Sequence, residues 1–276
     1  MIKALRPKQW IKNLLVAAAP IAAGQFGSQL TNIVLGVIGF SAASSFGYLV
    51  NDWNDRQEDR AHDKKRLRPF ASGALNFGHL IFLLVICAFV VIIVCLVLPI
   101  HYSLAVLVYL SVSIFYTFLI KKIPVLEMLW LTIGFLVRAV AGSTIIRETP
   151  TSWFIVTIGF GSLFIVATKR LAELQKNYTK ETRRVANIYT HSFLSTVINV
   201  SLAITLLTYS LWVFEVHPNL IFAQFSIFTF SLSFFLYALQ SEKSDAEAPE
   251  NLFFSNKYIF ISGLSTVTLL AIVIYK

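Results

Sequence analysis

Charge is what this chain has least of. Only 13% of its 276 residues are Asp, Glu, Lys or Arg, against about 25% in an average soluble domain, which excludes an ordinary water-soluble globular fold. Acids are the scarcer sign, with 14 Asp and Glu against 23 Lys and Arg. Two cysteines, Cys87 and Cys95, exclude a disulfide framework. On one helix they would stand about 12 Å apart along the axis, too far to bridge, so they read as packing residues. No Cys/His metal spacing, glycine-rich phosphate loop or Ser-His-Asp set stands out. A nucleic-acid partner is not expected, because the basic residues sort by membrane side.

Apolar sequence is what remains. Hydrophobic residues make up 57% of the chain and the mean hydropathy is +0.72. At about 20 apolar residues per crossing, the sequence predicts an all-α membrane protein with nine transmembrane helices. They fall at 11–28, 30–50, 76–98, 102–120, 125–146, 152–168, 191–213, 219–239 and 257–275. The first is broken by Pro20 and the sixth is short. No internal gap would house a separate domain, so residues 1–276 read as one polytopic helical bundle. Lys3, Arg6, Lys8 and Lys12 ahead of an apolar run ending Ala22-Ala23-Gly24 have the look of a secretory signal. The many later spans make that run a first span that is not cleaved.

Charge placement tests this partition. With a cytoplasmic N-terminus, Lys and Arg number four in residues 1–12, six in 51–75, two at 121–122, six in 169–190 and two at 243 and 257, all on one side. Arg147 and Lys276 fall on the other side and Arg138 lies within a span. That asymmetry follows the positive-inside rule. The segments 51–75, 121–124 and 169–190 then become cytoplasmic loops on one face.

One of those loops concentrates the rare acids. The run from Asn51 to Arg66 holds five acids and five bases directly after an uncharged span, Leu30 to Val50. At roughly 100° per residue, Asp52, Asp55 and Asp59 share one stripe of a helix. Such a stripe suits a hard divalent cation such as Mg²⁺, which usually takes one or two carboxylates together with substrate phosphate oxygens. Lys64, Lys65, Arg66 and Arg68 would meet the phosphate charge. The plainer alternative is a solvated, charge-mixed helix, and His62 is as readily solvated or ion-paired as catalytic.

Two further segments share the face. In Tyr116 to Glu127, Lys121 either grips a phosphate or anchors a helix end by snorkelling. In Lys169-Arg170-Leu171-Ala172-Glu173-Leu174, Glu173 is expected to pair with a base rather than bind metal. Arg138, deep in a span, needs a cavity or a partner. It stands three turns from Glu127 on the same helical face, so either both line one polar cleft or Arg138 pairs with backbone carbonyls.

The pattern Asn51-Asp52-x-x-Asp55-x-x-x-Asp59 after the second span resembles the first aspartate motif of the UbiA-type intramembrane prenyltransferase superfamily. Within it, the chain is most similar to the decaprenyl-phosphate phosphoribosyltransferase subgroup. The resemblance extends over Arg6-Pro7-Lys8-Gln9-Trp10-Ile11-Lys12-Asn13, Asn51 to Gly73, Tyr116 with Lys121, and Arg138-Ala139-Val140-Ala141-Gly142. It continues through Ser152-Trp153, Gly161-Ser162-Leu163-Phe164 and the Lys169 to Leu174 stretch, covering about the first two thirds of the chain.

The resemblance implies a UbiA-like bundle that moves a 5-phosphoribosyl group from phosphoribosyl diphosphate to a polyprenyl phosphate, with Mg²⁺ and release of diphosphate. It further implies a bacterial inner membrane and an active site facing the cytoplasm. Carried over by position, Asp52, Asp55 and Asp59 would hold the metal, and Asp55, Asp59, Lys121 and Glu127 would act in catalysis. Lys8, Lys12, Asn51, Lys64, Arg66, Arg68, Tyr116, Arg138, Lys169, Arg170 and Glu173 would contact substrate. Glu127 departs from the Asp expected there, and Asp63 from a frequent Pro. Prenyl transfer from a prenyl diphosphate to an aromatic or other small acceptor is the alternative. It lacks the second acidic pair such enzymes use, because residues 169–184 are basic: Lys169, Arg170, Lys176, Lys180, Arg183 and Arg184 against Glu173 and Glu181. A transporter is the third reading, and the absence of a midplane acid counts against it. Lipid chain length and oligomeric state are not encoded in any readable pattern.

Overall fold

The computed structural model describes residues 1–61, 65–175, 188–216, 221–243 and 256–274, and among them no strand occurs. The α-helices are α1 (Ala18–Ala22), α2 (Leu30–Asn54), α3 (Arg56–Arg60), α4 (Phe77–Val97), α5 (Ile100–Phe118), α6 (Leu126–Ile145), α7 (Ser152–Gln175), α8 (His191–Val216), α9 (Ile221–Lys243) and α10 (Lys257–Ile274). Eight of them, α2 and α4 to α10, are long and apolar enough to cross a membrane. In lipid every backbone polar group must bond within its own segment, so uninterrupted apolar runs of this length become helices. The chain is an integral membrane protein.

The first expected span takes a different form. Residues Pro7–Ala17 form a 3-10 helix, followed only by the single short helix α1, in place of one α-helix over 11–28. Two other boundaries shift with consequences for the site. The second span runs on to Asn54, so Asn51 and Asp52 are helical rather than loop residues. The sixth runs on to Gln175, which puts Lys169, Arg170 and Glu173 inside α7 instead of a loop.

One compact unit comprises Met1–Pro20 and Phe26–Glu148. Its core is built around Val16, Phe40, Tyr102, Val106 and Ala141, all buried. Phe40 meets the Tyr102 ring edge-on at 5.7 Å, and the Tyr102 hydroxyl donates to the Gly36 carbonyl at 2.8 Å. Close approach of helices depends on missing side chains. A Cβ on Gly142 would collide with the backbone carbonyl of Val16, so only glycine lets α6 lie this near the N-terminal 3-10 helix. Along α4, Leu80, Leu83, Cys87 and Val94 turn inward, while Phe82, Val85, Phe89, Ile92 and Leu96 are exposed. An apolar face of that extent is untenable in water and natural against lipid tails. Cys87 and Cys95 are both free thiols, as their spacing requires.

The second unit takes Ile21–Gln25 and the described residues from Thr149 onward. Here α7 packs on α8, and α9 on α10. Its helices are tied by hydroxyl pairs: Thr157 donates to Thr208 at 2.9 Å, Ser233 to Ser262 at 2.9 Å, Thr266 to Thr229 at 2.9 Å, and Tyr209 and Ser226 share a bond of 2.8 Å. Such bonds each contribute about 0.6 kcal/mol within a bilayer, where apolar surface alone gives helices little reason to associate. Phe164 fills the space between them, with Phe234 and Tyr237 at centroid distances of 5.4 and 5.7 Å.

Candidate active site

The rare acids sit where α2 ends. Asp55 caps α2 with φ −88° and ψ 1°, and α3 begins at Arg56, so the expected stripe is not on one unbroken helix. The i to i−4 bonds nevertheless persist across the break, from the Asp55 amide to the Asn51 carbonyl at 2.9 Å and from the Asp59 amide to the Asp55 carbonyl at 2.8 Å. Asp52 and Asp59 are 3% and 4% exposed, and burial of a carboxylate at this level requires compensating charge.

Each carboxylate has that compensation. Arg6 grips Asp52 with two bonds, Nε to Oδ2 at 3.1 Å and Nη2 to Oδ1 at 2.5 Å. Arg68 Nη1 donates both to Asp52 Oδ1 at 3.3 Å and to Asp59 Oδ2 at 2.6 Å. Lys121 donates to Asp55 Oδ1, and the Asn54 amide donates to the same oxygen at 2.9 Å. Three aspartates are thus interleaved with three bases drawn from the N-terminus, the loop after α3 and the turn before α6.

Local structure explains how the bases arrive there. Arg6 is held in the left-handed region, φ 52° and ψ 58°, as the junction between the 3-10 helices Ile2–Leu5 and Pro7–Ala17. That conformation is unusual for arginine, and the bidentate pair with Asp52 offsets it, with the guanidinium 5.0 Å from the Tyr48 ring centre. The loop bearing Arg68 is anchored by buried Phe70 and Leu75 and by the Arg60 guanidinium donating to the Ala71 carbonyl at 3.0 Å. Lys121 and Glu127 flank a tight turn in which the Leu126 amide donates to the Pro124 carbonyl at 2.7 Å around Val125, at φ 65° and ψ −51°. This is a γ-turn of the strained sort, centred on a β-branched residue. Val125→Gly is expected to raise stability by about 1 kcal/mol, strain relief less the entropy of glycine. The thermal unfolding midpoint in detergent measures it, and an unchanged or lower midpoint would show that the turn stores no strain.

Of the other expected residues, Glu127 lies in the first turn of α6 and is 2% exposed, a position where the helix dipole favours an acid. Tyr116 is half-buried near the end of α5, Lys8 and Arg66 are exposed, and Lys12 lies 6.0 Å from the centre of the Phe135 ring. Arg138 makes no bond to the aspartates. Its Nε donates to Asn13 Oδ1 at 2.8 Å, Nη1 to the Gly134 carbonyl at 2.6 Å and Nη2 to the Tyr109 hydroxyl at 2.8 Å. The backbone-carbonyl alternative therefore holds in part, and protein groups take up this guanidinium. In the second unit, Lys169, Arg170 and Glu173 share α7, and Arg170 Nη1 donates to Glu173 Oε2 at 2.6 Å, the base pairing expected for Glu173. His62, Asp63, Lys64, Lys176, Lys180, Glu181, Arg183 and Arg184 lie outside the described residues.

Arg6 is the site residue that sequence reasoning missed. It was visible as one of four early bases, but nothing local distinguishes it from Lys3 or Lys8, and its partner stands 46 residues away.

The donor set suits a hard divalent cation, although among the described residues no three His, Cys, Asp or Glu side chains converge as a ready-made ligand group. Mg²⁺ needs only one or two carboxylates when phosphate oxygens supply the rest. Asp52, Asp55 and Asp59 are oxygen donors of that kind. The Asn51 Oδ1 is buried with no hydrogen-bond partner among the described residues, an orphaned oxygen that costs free energy unless something satisfies it.

The chain has clear relatives among known proteins. The profile of the UbiA prenyltransferase family matches residues 14–264. A decaprenyl-phosphate phosphoribosyltransferase from Corynebacterium glutamicum is 32% identical over 100% of this chain and 86% of its own length. One from Mycolicibacterium smegmatis is 36% identical over 78% of this chain and 70% of its own length. A UbiA homologue from Archaeoglobus fulgidus, solved bound to DMAPP and Mg²⁺, superposes with a TM-score of 0.74 at 17% identity, covering 99% of this chain and 98% of the homologue. At that identity the superposition establishes the fold. The aspartate cluster at the end of α2, the all-helical architecture and the full-length similarity lead to one conclusion: this chain is a transferase and belongs to the UbiA prenyltransferase family.

Proposed function

We propose that the protein transfers the 5-phosphoribosyl group of phosphoribosyl diphosphate to a polyprenyl phosphate of the decaprenyl-phosphate class, releasing diphosphate, with Mg²⁺ as cofactor. The observation that carries this reading is the interleaved cluster of Asp52, Asp55 and Asp59 with Arg6, Arg68 and Lys121, in a chain whose whole length is similar to enzymes of that name. A site with as many bases as acids suits a donor and an acceptor that both carry phosphate.

A phosphate oxygen of the lipid attacks the anomeric carbon of the ribose as the bond from that carbon to the diphosphate breaks. The nucleophile is already an anion and no proton has to be removed, so a strong general base is unnecessary. A bound divalent cation supplies charge neutralisation to the leaving diphosphate. Asp52, Asp55, Asp59 and the Asn51 side-chain oxygen would hold that cation, while Arg6, Arg68 and Lys121 orient and neutralise phosphate oxygens. Glu127, or Asp55 itself, faces the positive charge that develops on the sugar ring.

The same reading gives the chain one polytopic domain in a bacterial inner membrane, with its N-terminus and charged face cytoplasmic. The ninth span is then the N-terminal stretch expected at 11–28, which the structure forms from the end of the 3-10 helix and α1.

The test is incubation of the purified protein in lipid with polyprenyl phosphate, Mg²⁺ and either labelled phosphoribosyl diphosphate or labelled prenyl diphosphate. Label is expected in an organic-extractable product from the first donor and not from the second. Product labelled from prenyl diphosphate alone, in a parallel incubation supplied with a small aromatic acceptor, would instead establish the prenyl-transfer alternative.

A further inference from the structure

The cluster has a property beyond its composition: every one of its carboxylates is held by a protein cation. Arg68 Nη1 bridges Asp52 and Asp59 at 3.3 and 2.6 Å, one positive nitrogen shared by two carboxylates, which is the contact a divalent cation common to both has to replace. Arg6 covers both oxygens of Asp52 and Lys121 covers Asp55. A metal ion and these three bases therefore compete for the same oxygens. A diphosphate and the three carboxylates compete in turn for the same bases.

Charge decides the outcome of that competition. Metal binding alone would strip three cations of their partners and leave them beside a further positive ion. Diphosphate binding alone would leave three carboxylates uncompensated beside a further anion. Like charges at this spacing oppose binding strongly. Taken up together, the two ligands give every group a partner of opposite sign. The bases are able to make the change, because the Arg6 and Arg68 side chains are 24% and 26% exposed on flexible stems, whereas the Asp52 and Asp59 side chains, 3% and 6% exposed, stay in place.

We propose that the divalent cation and the diphosphate donor enter this site cooperatively by exchange of ion-pair partners, the aspartates passing from Arg6, Arg68 and Lys121 to the metal as those bases pass to phosphate oxygens. The protein's own cations thus act as a gate, holding the carboxylates charge-compensated until a metal and a diphosphate arrive together. This rests on the reading that the cluster receives a diphosphate, and it adds how the two ligands depend on each other. Coupling of this kind is reciprocal, so diphosphate raises metal affinity by the same factor that metal raises diphosphate affinity.

The experiment uses the full chain in lipid nanodiscs and measures retained Mn²⁺ by equilibrium dialysis, with and without inorganic diphosphate. Chelation in free solution can only lower retention, so a rise has to come from the protein. Diphosphate is expected to increase Mn²⁺ retained by the wild type at least about fivefold. Arg68→Gln is expected to bind Mn²⁺ without diphosphate at least about fivefold more tightly than the wild type and to lose most of the diphosphate enhancement. Arg6→Gln should shift both quantities in the same directions, and thermal unfolding profiles check that both variants fold. Mn²⁺ retention that diphosphate leaves unchanged or lowers, or an Arg68→Gln protein that binds Mn²⁺ no better than wild type, overturns the cooperative exchange while leaving the proposed transferase site standing. Absence of Mn²⁺ retention under every condition overturns both.

Discussion

Asp59→Ala is expected to lower the rate of the proposed phosphoribosyl transfer by about 10²–10³-fold, the usual consequence of removing one preorganised electrostatic contact from a charged transition state. Asp59 is 4% exposed and its carboxylate holds Arg68, which also reaches Asp52. Its loss removes one of the carboxylates proposed to hold the cation and releases the base that links the two acids. Asp59→Asn keeps the shape without the charge and should fall nearly as far, which separates an electrostatic role from a packing one. Arg56 is the control from the same charged run. Its guanidinium donates to the Trp53 carbonyl at 2.8 Å and stacks 4.2 Å from the Trp53 ring centre, so Arg56→Gln should change the rate little. The measurement is the initial rate of label transfer from phosphoribosyl diphosphate into extractable lipid. Full activity in Asp59→Ala would remove the aspartate cluster from the mechanism.

The second large effect is on stability. Arg138→Met should cost about 3 kcal/mol, because it strands the Asn13 side-chain oxygen and the Tyr109 hydroxyl inside the bundle, and each stranded buried acceptor carries a penalty of roughly 1–3 kcal/mol. Arg138 ties α6 to α5 and to the N-terminal 3-10 helix, and Asn13 continues the tie to α2 by donating to Ser41 at 3.1 Å and Ser44 at 3.2 Å. Arg138→Lys should rescue little, since an ammonium on a narrower stem cannot reproduce a planar fork aimed at three separate acceptors. Unfolding in detergent gives the free-energy change. Pairing Arg138→Met with Asn13→Ala in a double-mutant cycle should show non-additivity of about 1 kcal/mol. Wild-type stability in Arg138→Met would show that the guanidinium is not a structural tie. Arg6 directly precedes that 3-10 helix, so loosening it should also weaken the grip on Asp52.

These two residues show how unevenly the sequence reports its own use. Asp52, Asp55 and Asp59 were legible because acids are rare here and these stand four or fewer residues apart at the mouth of an uncharged span. Arg138 was legible as costly but not in purpose, since its acceptors are a carbonyl one turn away and side chains on two other elements. The break at Asp55, the 3-10 form of the N-terminal stretch and the γ-turn at Val125 were not legible. Each is a local backbone choice made under tertiary constraint, with a propensity signal too weak to register.

The sequence by itself determined the membrane-crossing helices and the cluster of acids, because both depend on neighbours in the chain. A backbone in lipid must satisfy its hydrogen bonds within about 20 consecutive residues, and a stripe of carboxylates needs only helical periodicity. Tertiary structure alone decided which cation meets which acceptor. Arg6 finds Asp52 across 46 residues, Lys121 finds Asp55 across 66, and Arg138 finds Asn13 across 125. Attraction between opposite charges names no particular partner, so the pairing waits until packed helices bring the ends of distant segments within reach.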